Sequence, residues 1–437
     1  MRRNIYITGA GIVSAIGMNK VETLDALLNR RTGIAPIKYL QTSHTNLLVG
    51  EVKHSNDELR EMLQIPPSEA FIRSSLLGIP AVMEALRQAR LNNLLSLKST
   101  SNINTLANSE QPPMQSRDHS PLRIAFLSGI TVGGMDQTEI WYDDFLTNNT
   151  KNSYIELNDC GACTEQIADY FGCFATVSTI VTACSSSANT IMMGADLLTS
   201  GRADIVVAGG TECLSRYHVN GFNTLMILDK AICRPFDRDR SGINLGEGAG
   251  YVVLESEASA KRRGVTPIGK VSGYANVCDA YHPTASSPDG LGPYLAMKGA
   301  LEAANLTLEE IDYLNAHGTG TPNNDLTEGL AVMKLFGENI NDYARQMIPP
   351  LSSIKAFTGH TTSAAGSFEA VVSLLALEHN FLPVNLNFKN RIEEHTFTPV
   401  IDPTPTRPLK HVLSNSFGFG GNDSAIIFST INELEIV

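Results

Sequence analysis

A β-branched run that stops at a cysteine constrains this chain more than any other feature in it. Residues 174–210 read FATVSTIVTACSSSANTIMMGADLLTSGRADIVVAGG. Thr176, Val177, Thr179, Ile180 and Val181 suit a buried strand. After Cys184 and three serines, apolar residues recur at helical spacing: Ala188, Ile191, Met192, Ala195 and Leu198. Ser200 and Gly201 close that helix, and 203–208 reads as the next strand. Cys184 therefore stands where a strand turns sharply into a helix. Free backbone N–H groups and the positive end of the helix dipole favour a thiolate there. The competing reading is a packing cysteine, since free cysteine is among the most buried residue types. The rest of the chain has to decide between them.

Length and composition narrow the field. At 437 residues the chain is too long for one ordinary core. With 43% hydrophobic and 18% charged residues it has a globular composition. The formal charge of −12 and the single basic triplet, Lys261-Arg262-Arg263, argue against a nucleic-acid partner. No segment reaches the roughly 18 apolar residues of a membrane span, so no membrane partner and a cytoplasmic location are expected. Seven scattered cysteines argue against a disulfide framework. Cys160 and Cys163 form a C-x-x-C pair, but neither a second pair nor a nearby histidine completes a zinc set.

Read in order, residues 5–7 form a strand and Gly9-Ala10-Gly11 a tight turn. This G-x-G lacks the third glycine and the acidic residue of a dinucleotide site. Residues 59–91 are mostly helical. Segment 92–121, rich in Asn, Ser, Gln and Pro, reads as an exposed insertion. Strands follow at 124–128, 203–208, 250–255, 268–273, 311–314, 351–354, 411–414 and 424–430, with helices between many of them. The fold class is α/β in two halves of similar size, with the seam at 261–265 and no residue-level repeat.

Three further strand ends carry chemistry: NAHGTGTP from Asn315, KAFTGH from Lys355, and SNSFGFGG from Ser414. Open α/β sheets bind ligands at the carboxyl ends of their strands, so these segments are expected to converge on Cys184. A thiolate can hold an acyl group as a thioester. Two neutral imidazoles can stabilise the enolate left when a β-carboxylate departs as CO₂. The N–H of Cys184 and one from the 417–421 turn can form a separate oxyanion hole.

TACSSSAN, NAHGTGTP, SSIKAFTGH and NSFGFGG, in this order, resemble the β-ketoacyl-acyl-carrier-protein synthases, the elongating condensing enzymes of the thiolase fold. The resemblance spans nearly the whole chain outside 92–121. It implies a thiolase-like, five-layered α/β/α/β/α architecture from two related halves. Residues 1–260 would carry the cysteine and 261–437 the histidines. The implied reaction is decarboxylative Claisen condensation of an acyl group on Cys184 with malonyl-acyl carrier protein, giving 3-oxoacyl carrier, CO₂ and free carrier.

Carried over by motif, Cys184 resembles the acylated nucleophile, and His317 and His360 the decarboxylating pair. Lys355 matches the lysine that organises the histidines, with Glu328 as its expected partner. Thr319 and Thr321 resemble the contacts to the phosphopantetheine arm. Phe419 resembles the gate of the acyl pocket, with Val132 and Phe222 as pocket walls. Asn315, Glu369, Ser414 and Asn415 match a site that in some relatives holds a monovalent cation. No resident cofactor is implied, because 4′-phosphopantetheine arrives on the acyl carrier protein. The family implies a homodimer, or a heterodimer in a paired synthase. An acidic carrier needs a local basic dock. Arg73 is the candidate, whereas Met226 falls where relatives often have a basic residue.

The alternatives belong to other classes. A non-condensing chain-length subunit of a paired synthase would lack the cysteine. A biosynthetic thiolase would use a second cysteine, and an initiating synthase an asparagine in place of one histidine.

Overall fold

The computed structural model describes residues 4–95, 122–148, 152–337 and 348–431. The first strand, β1 (Ile5–Val13), is buried along its whole length and runs through the glycines read as a turn. Gly9 and Gly11 serve close packing. A Cβ at either would lie 2.1 Å from a carbonyl oxygen of helix α1 (Arg73–Gln88), Ala85 or Ala81 respectively. The helical stretch read at 59–91 is broken at Pro66-Pro67, leaving Asn56–Leu63 and α1 as separate helices. Of the insertion read at 92–121, residues 92–95 form a short 3-10 turn and the remainder lies outside the described residues.

The N-terminal half continues with β2 (Ile124–Gly129), helix α2 (Cys160–Phe171), β3 (Thr176–Ile180), helix α3 (Ser186–Thr199), β4 (Ile205–Glu212) and β5 (Gly248–Ser256). The C-terminal half has β6 (Gly269–Cys278), helix α4 (Leu291–Ala304), β7 (Tyr313–Asn315), helix α5 (Pro322–Gly337) and β8 (Leu351–Ser352). It ends with helix α6 (Ala365–His379), β9 (His411–Gly418) and β10 (Asn422–Ser429).

One hydrogen-bonded order runs through all ten: β8-β7-β9-β10-β6-β1-β5-β4-β2-β3. Each half contributes five strands in the same internal order, third-second-fourth-fifth-first. In each, the first two pairings along that order are parallel and the last two antiparallel. The halves join edge to edge through a short antiparallel ladder, Ile5↔Val271, Tyr6↔Lys270 and Ile7↔Gly269.

Helices α3 and α6 pack on each other between the two half-sheets, while α1 with α2 and α4 with α5 cover the outer faces. The layering is thus α/β/α/β/α. The central core joins Ile191, Ala195 and Leu198 of α3 to Phe368, Val371 and Leu375 of α6 and to strand residues of both halves. Helix α6 is buried from Ala365 to Leu377, which explains why apolar residues lie on every side of it, with Ser367, Glu369 and Ser373 between them. Among the described residues, no helix is long and apolar enough to cross a membrane.

Candidate active site

Strand β3 ends at Ile180 and α3 begins at Ser186, so Cys184 lies in the turn between them, only 5% exposed. Ala183 before it is left-handed, with φ 53°. That conformation costs an alanine about 1 kcal/mol. The serines after it hold the turn. Ser186 Oγ donates to Ala183 O (2.6 Å) and accepts from Thr182 N–H (2.9 Å). Ser185 Oγ lies 2.7 Å from both Thr182 O and Asn422 Oδ1.

The two histidines reach this corner from the other half. His360 follows β8; its N–H donates to Asn244 O (2.7 Å) and its carbonyl accepts from Gly246 N–H (2.9 Å). That fixes Nε2 at 3.2 Å from Cys184 Sγ. His317 follows β7, with its ring centroid 5.3 Å from that of His360 and the planes at 83°.

Lys355 organises the pair, but through a different acid from the one expected. Its ammonium bonds Glu369 Oε1 at 2.5 Å, donates to His317 O and stands 3.4 Å from His317 Nδ1. Glu328 is not its partner. The Glu328 carboxylate accepts from His317 N–H (2.9 Å), Gly318 N–H (2.8 Å) and Asn415 Nδ2 (3.1 Å). Glu328 therefore shapes the backbone of the histidine loop, while Glu369, on the buried helix α6, holds the lysine. An ammonium offers only donors, so His317 Nδ1 must accept and its proton sits on Nε2, toward the cavity.

Electrostatics correct the expectation for the sulfur. Burial pushes the Cys184 thiol up to about 11, against the pull of Lys355 and of the Phe419 N–H bonded to the sulfur. Desolvation outweighs the helix terminus, and the resting group is a thiol. Burial, and next the Lys355 charge, push both His317 and His360 well below the usual imidazole range, so both are neutral at pH 7. Burial also lifts Glu328 to about 7.

Removal of the Lys355 ammonium tests this arrangement. Lys355→Met should strand the Glu369 carboxylate in the core and lower stability by about 3–5 kcal/mol, measured as a drop in the urea midpoint. An unmoved midpoint would show that Glu369 does not depend on the lysine.

Cys184, His317 and His360 share a cavity of about 390 Å³ with Phe222, Phe417 and Phe419. The Phe222 and Phe419 rings stack at 5.9 Å. Thr319 and Thr321 line the same cavity, their hydroxyls 2.9 Å apart. Val132 is buried in the turn after β2 and does not line this cavity. Arg73 is not an exposed dock: it is buried and paired with Glu247 at 2.6 Å. Met226 is 87% exposed at the cavity rim.

Of the four residues read as a cation site, Asn315 and Ser414 are register partners on β7 and β9, and Asn315 Nδ2 donates to Glu369 O. The Glu369 carboxylate is occupied by Lys355 and Ser416. The oxygens left for a cation are Asn315 Oδ1 and Asn415 Oδ1, both buried and unpartnered. A hard monovalent ion would take such oxygens. Among the described residues, no cluster of three His, Cys, Asp or Glu side chains suits a metal ion.

Sequence reading missed Asn244, whose main chain sets His360, and Asn422, which braces Ser185. Both act through contacts made only on folding, and no local signal marks them.

Comparison with known proteins comes to the same place. Residues 2–260 match the model for the β-ketoacyl synthase N-terminal domain, and 268–389 that for the C-terminal domain. The 3-oxoacyl-[acyl-carrier-protein] synthase 2 of Coxiella burnetii is 30% identical, over 98% of this chain and 99% of that protein. Nodulation protein E of Rhizobium meliloti is 30% identical, over 99% and 100% respectively. The solved ishigamide ketosynthase/chain length factor superposes with a TM-score of 0.85 at 28% identity, covering 99% of this chain and 100% of that one.

Proposed function

This chain belongs to the β-ketoacyl synthase family, and from that premise we propose how its site carries out the condensation. It is a condensing acyltransferase that joins an acyl group to malonyl-acyl carrier protein, giving 3-oxoacyl-acyl carrier protein, CO₂ and free carrier. One observation carries the assignment of roles: His360 Nε2 stands 3.2 Å from the Cys184 thiol in a cavity that His317 also lines.

In the first half-reaction the Cys184 sulfur attacks the acyl thioester. The thiol proton passes through His360 Nε2 to the departing pantetheine sulfur, and His360 returns neutral. The N–H groups of Cys184 and Phe419 receive the oxyanion. In the second, malonyl thioester enters past Thr319 and Thr321, and its carbonyl oxygen accepts from the Nε2–H of His317 and from that of His360, whose imidazole exchanges its proton from Nδ1 to Nε2 through solvent once the thiol is acylated. The carboxylate leaves as CO₂ and its bonding pair becomes the enolate. The enolate carbon attacks the acyl carbonyl, a C–C bond replaces the C–S bond, and the released sulfur takes a proton from solvent. Residues 1–260 supply the nucleophile and 261–437 the imidazoles.

The partner in each half-reaction is an acyl carrier protein, which brings its own phosphopantetheine, so no resident cofactor enters the cycle. A second copy of the chain is the other partner. Among the described residues, strand β3 ends the ten-stranded order with an unpaired edge, and Val177 (38% exposed), Val181 (54%) and Met193 (39%) stand open on and beside it. A cytoplasmic location is supported by seven cysteines that are all free.

The test is to incubate the purified chain alone with acyl- and malonyl-loaded carrier. Mass spectrometry is expected to find the acyl group on the Cys184 peptide and a 3-oxoacyl carrier as product. A chain that takes up no acyl group and releases no CO₂ unless a second, different subunit is added would be a chain-length partner instead.

A further inference from the structure

A second carboxylate at this site has no place in the cycle above. Glu212 closes β4, is fully buried, and meets the catalytic loop of the other half. Its Oε2 accepts from Thr131 N–H (3.0 Å), the Thr131 hydroxyl, Ser363 Oγ (2.6 Å) and Thr362 Oγ1 (3.2 Å). Its Oε1 is buried with no partner at all. Among the described residues, no lysine, arginine or histidine pairs with it. Buried carboxylates are ordinarily matched by a cation, so an unmatched one gripping the loop after His360 calls for a reason.

Its surroundings supply one. Thr362, two residues after His360, holds φ at 44°, a left-handed backbone that a β-branched residue adopts only under constraint. Glu212 is what grips that turn, through Thr362 and Ser363 together.

We propose that Glu212 is a positioning residue: it clamps the strained turn that follows His360 and so fixes where that imidazole meets the malonyl thioester. The inference rests on the role proposed above for His360.

Glu212→Gln keeps the shape and replaces the charge-assisted bonds to Thr362 and Ser363 with weaker neutral ones. Malonyl-carrier decarboxylation should fall about 10-fold against the parent as the His360 turn relaxes. Alkylation of Cys184 by iodoacetamide at fixed pH should be unchanged, a readout that needs neither carrier protein nor condensation and that a general disturbance of the fold would move. Ser363→Ala removes the clamp's 2.6 Å bond. It should slow decarboxylation in the same way, and it serves alone should Glu212→Gln fail to fold. Unchanged decarboxylation in Ser363→Ala, or a loss of alkylation that matches the loss of decarboxylation, overturns the clamp.

Discussion

Replacing Cys184 with alanine should abolish condensation, by on the order of 10⁴-fold or more, as when a covalent nucleophile is removed elsewhere. Release of CO₂ from malonyl carrier should survive, because the imidazoles and Lys355 do not depend on the sulfur for their placement. His317 is set by Lys355 and Glu328, and the His360 backbone is tied to Asn244 and Gly246. The measurement is a paired assay on one preparation: ¹⁴CO₂ release and 3-oxoacyl product by mass spectrometry. A variant that still forms the product would remove Cys184 from the reaction and leave this corner as packing.

His360→Ala should give the complementary result. Decarboxylation is expected to fall on the order of 10²–10³-fold, the scale of one lost oxyanion donor. Acylation of Cys184 should slow as well, since among the described residues no other acceptor meets the thiol proton at hydrogen-bonding distance. Both imidazoles lie well below the usual range. The parent's decarboxylation rate should therefore show no histidine ionisation near pH 6.5. CO₂ release unaffected by His360→Ala would end its assignment.

Much of this site was legible before folding, because its reactive groups sit at strand ends, and strand ends have local signals. The β-branched run before Cys184 and the glycines around His317 and His360 each mark a place where backbone turns away from a sheet. What was not legible depends on which parts of the chain come to lie together. Glu328 and Glu369 both lie on helices that pass the lysine, and spacing does not rank them. Packing does: Glu328 is consumed by the N–H groups of His317 and Gly318, and Glu369 is left facing the ammonium. Arg73 opens a helix, where a basic residue usually faces solvent. Its burial follows from Glu247, more than 170 residues away. Gly9 and Gly11 looked like a turn because glycine has two uses, loose backbone and close approach, and sequence alone does not separate them.

The matching strand orders bear on how this chemistry is laid out. The third strand of either half leads into that half's central helix, β3 into α3 and β8 into α6, and the corner so formed holds Cys184 in one and His360 in the other. Sulfur and imidazole are thus topological counterparts, each in the stretch between the third strand and the central helix of its own half. The sequence has no residue-level repeat, so the correspondence lies in the topology alone.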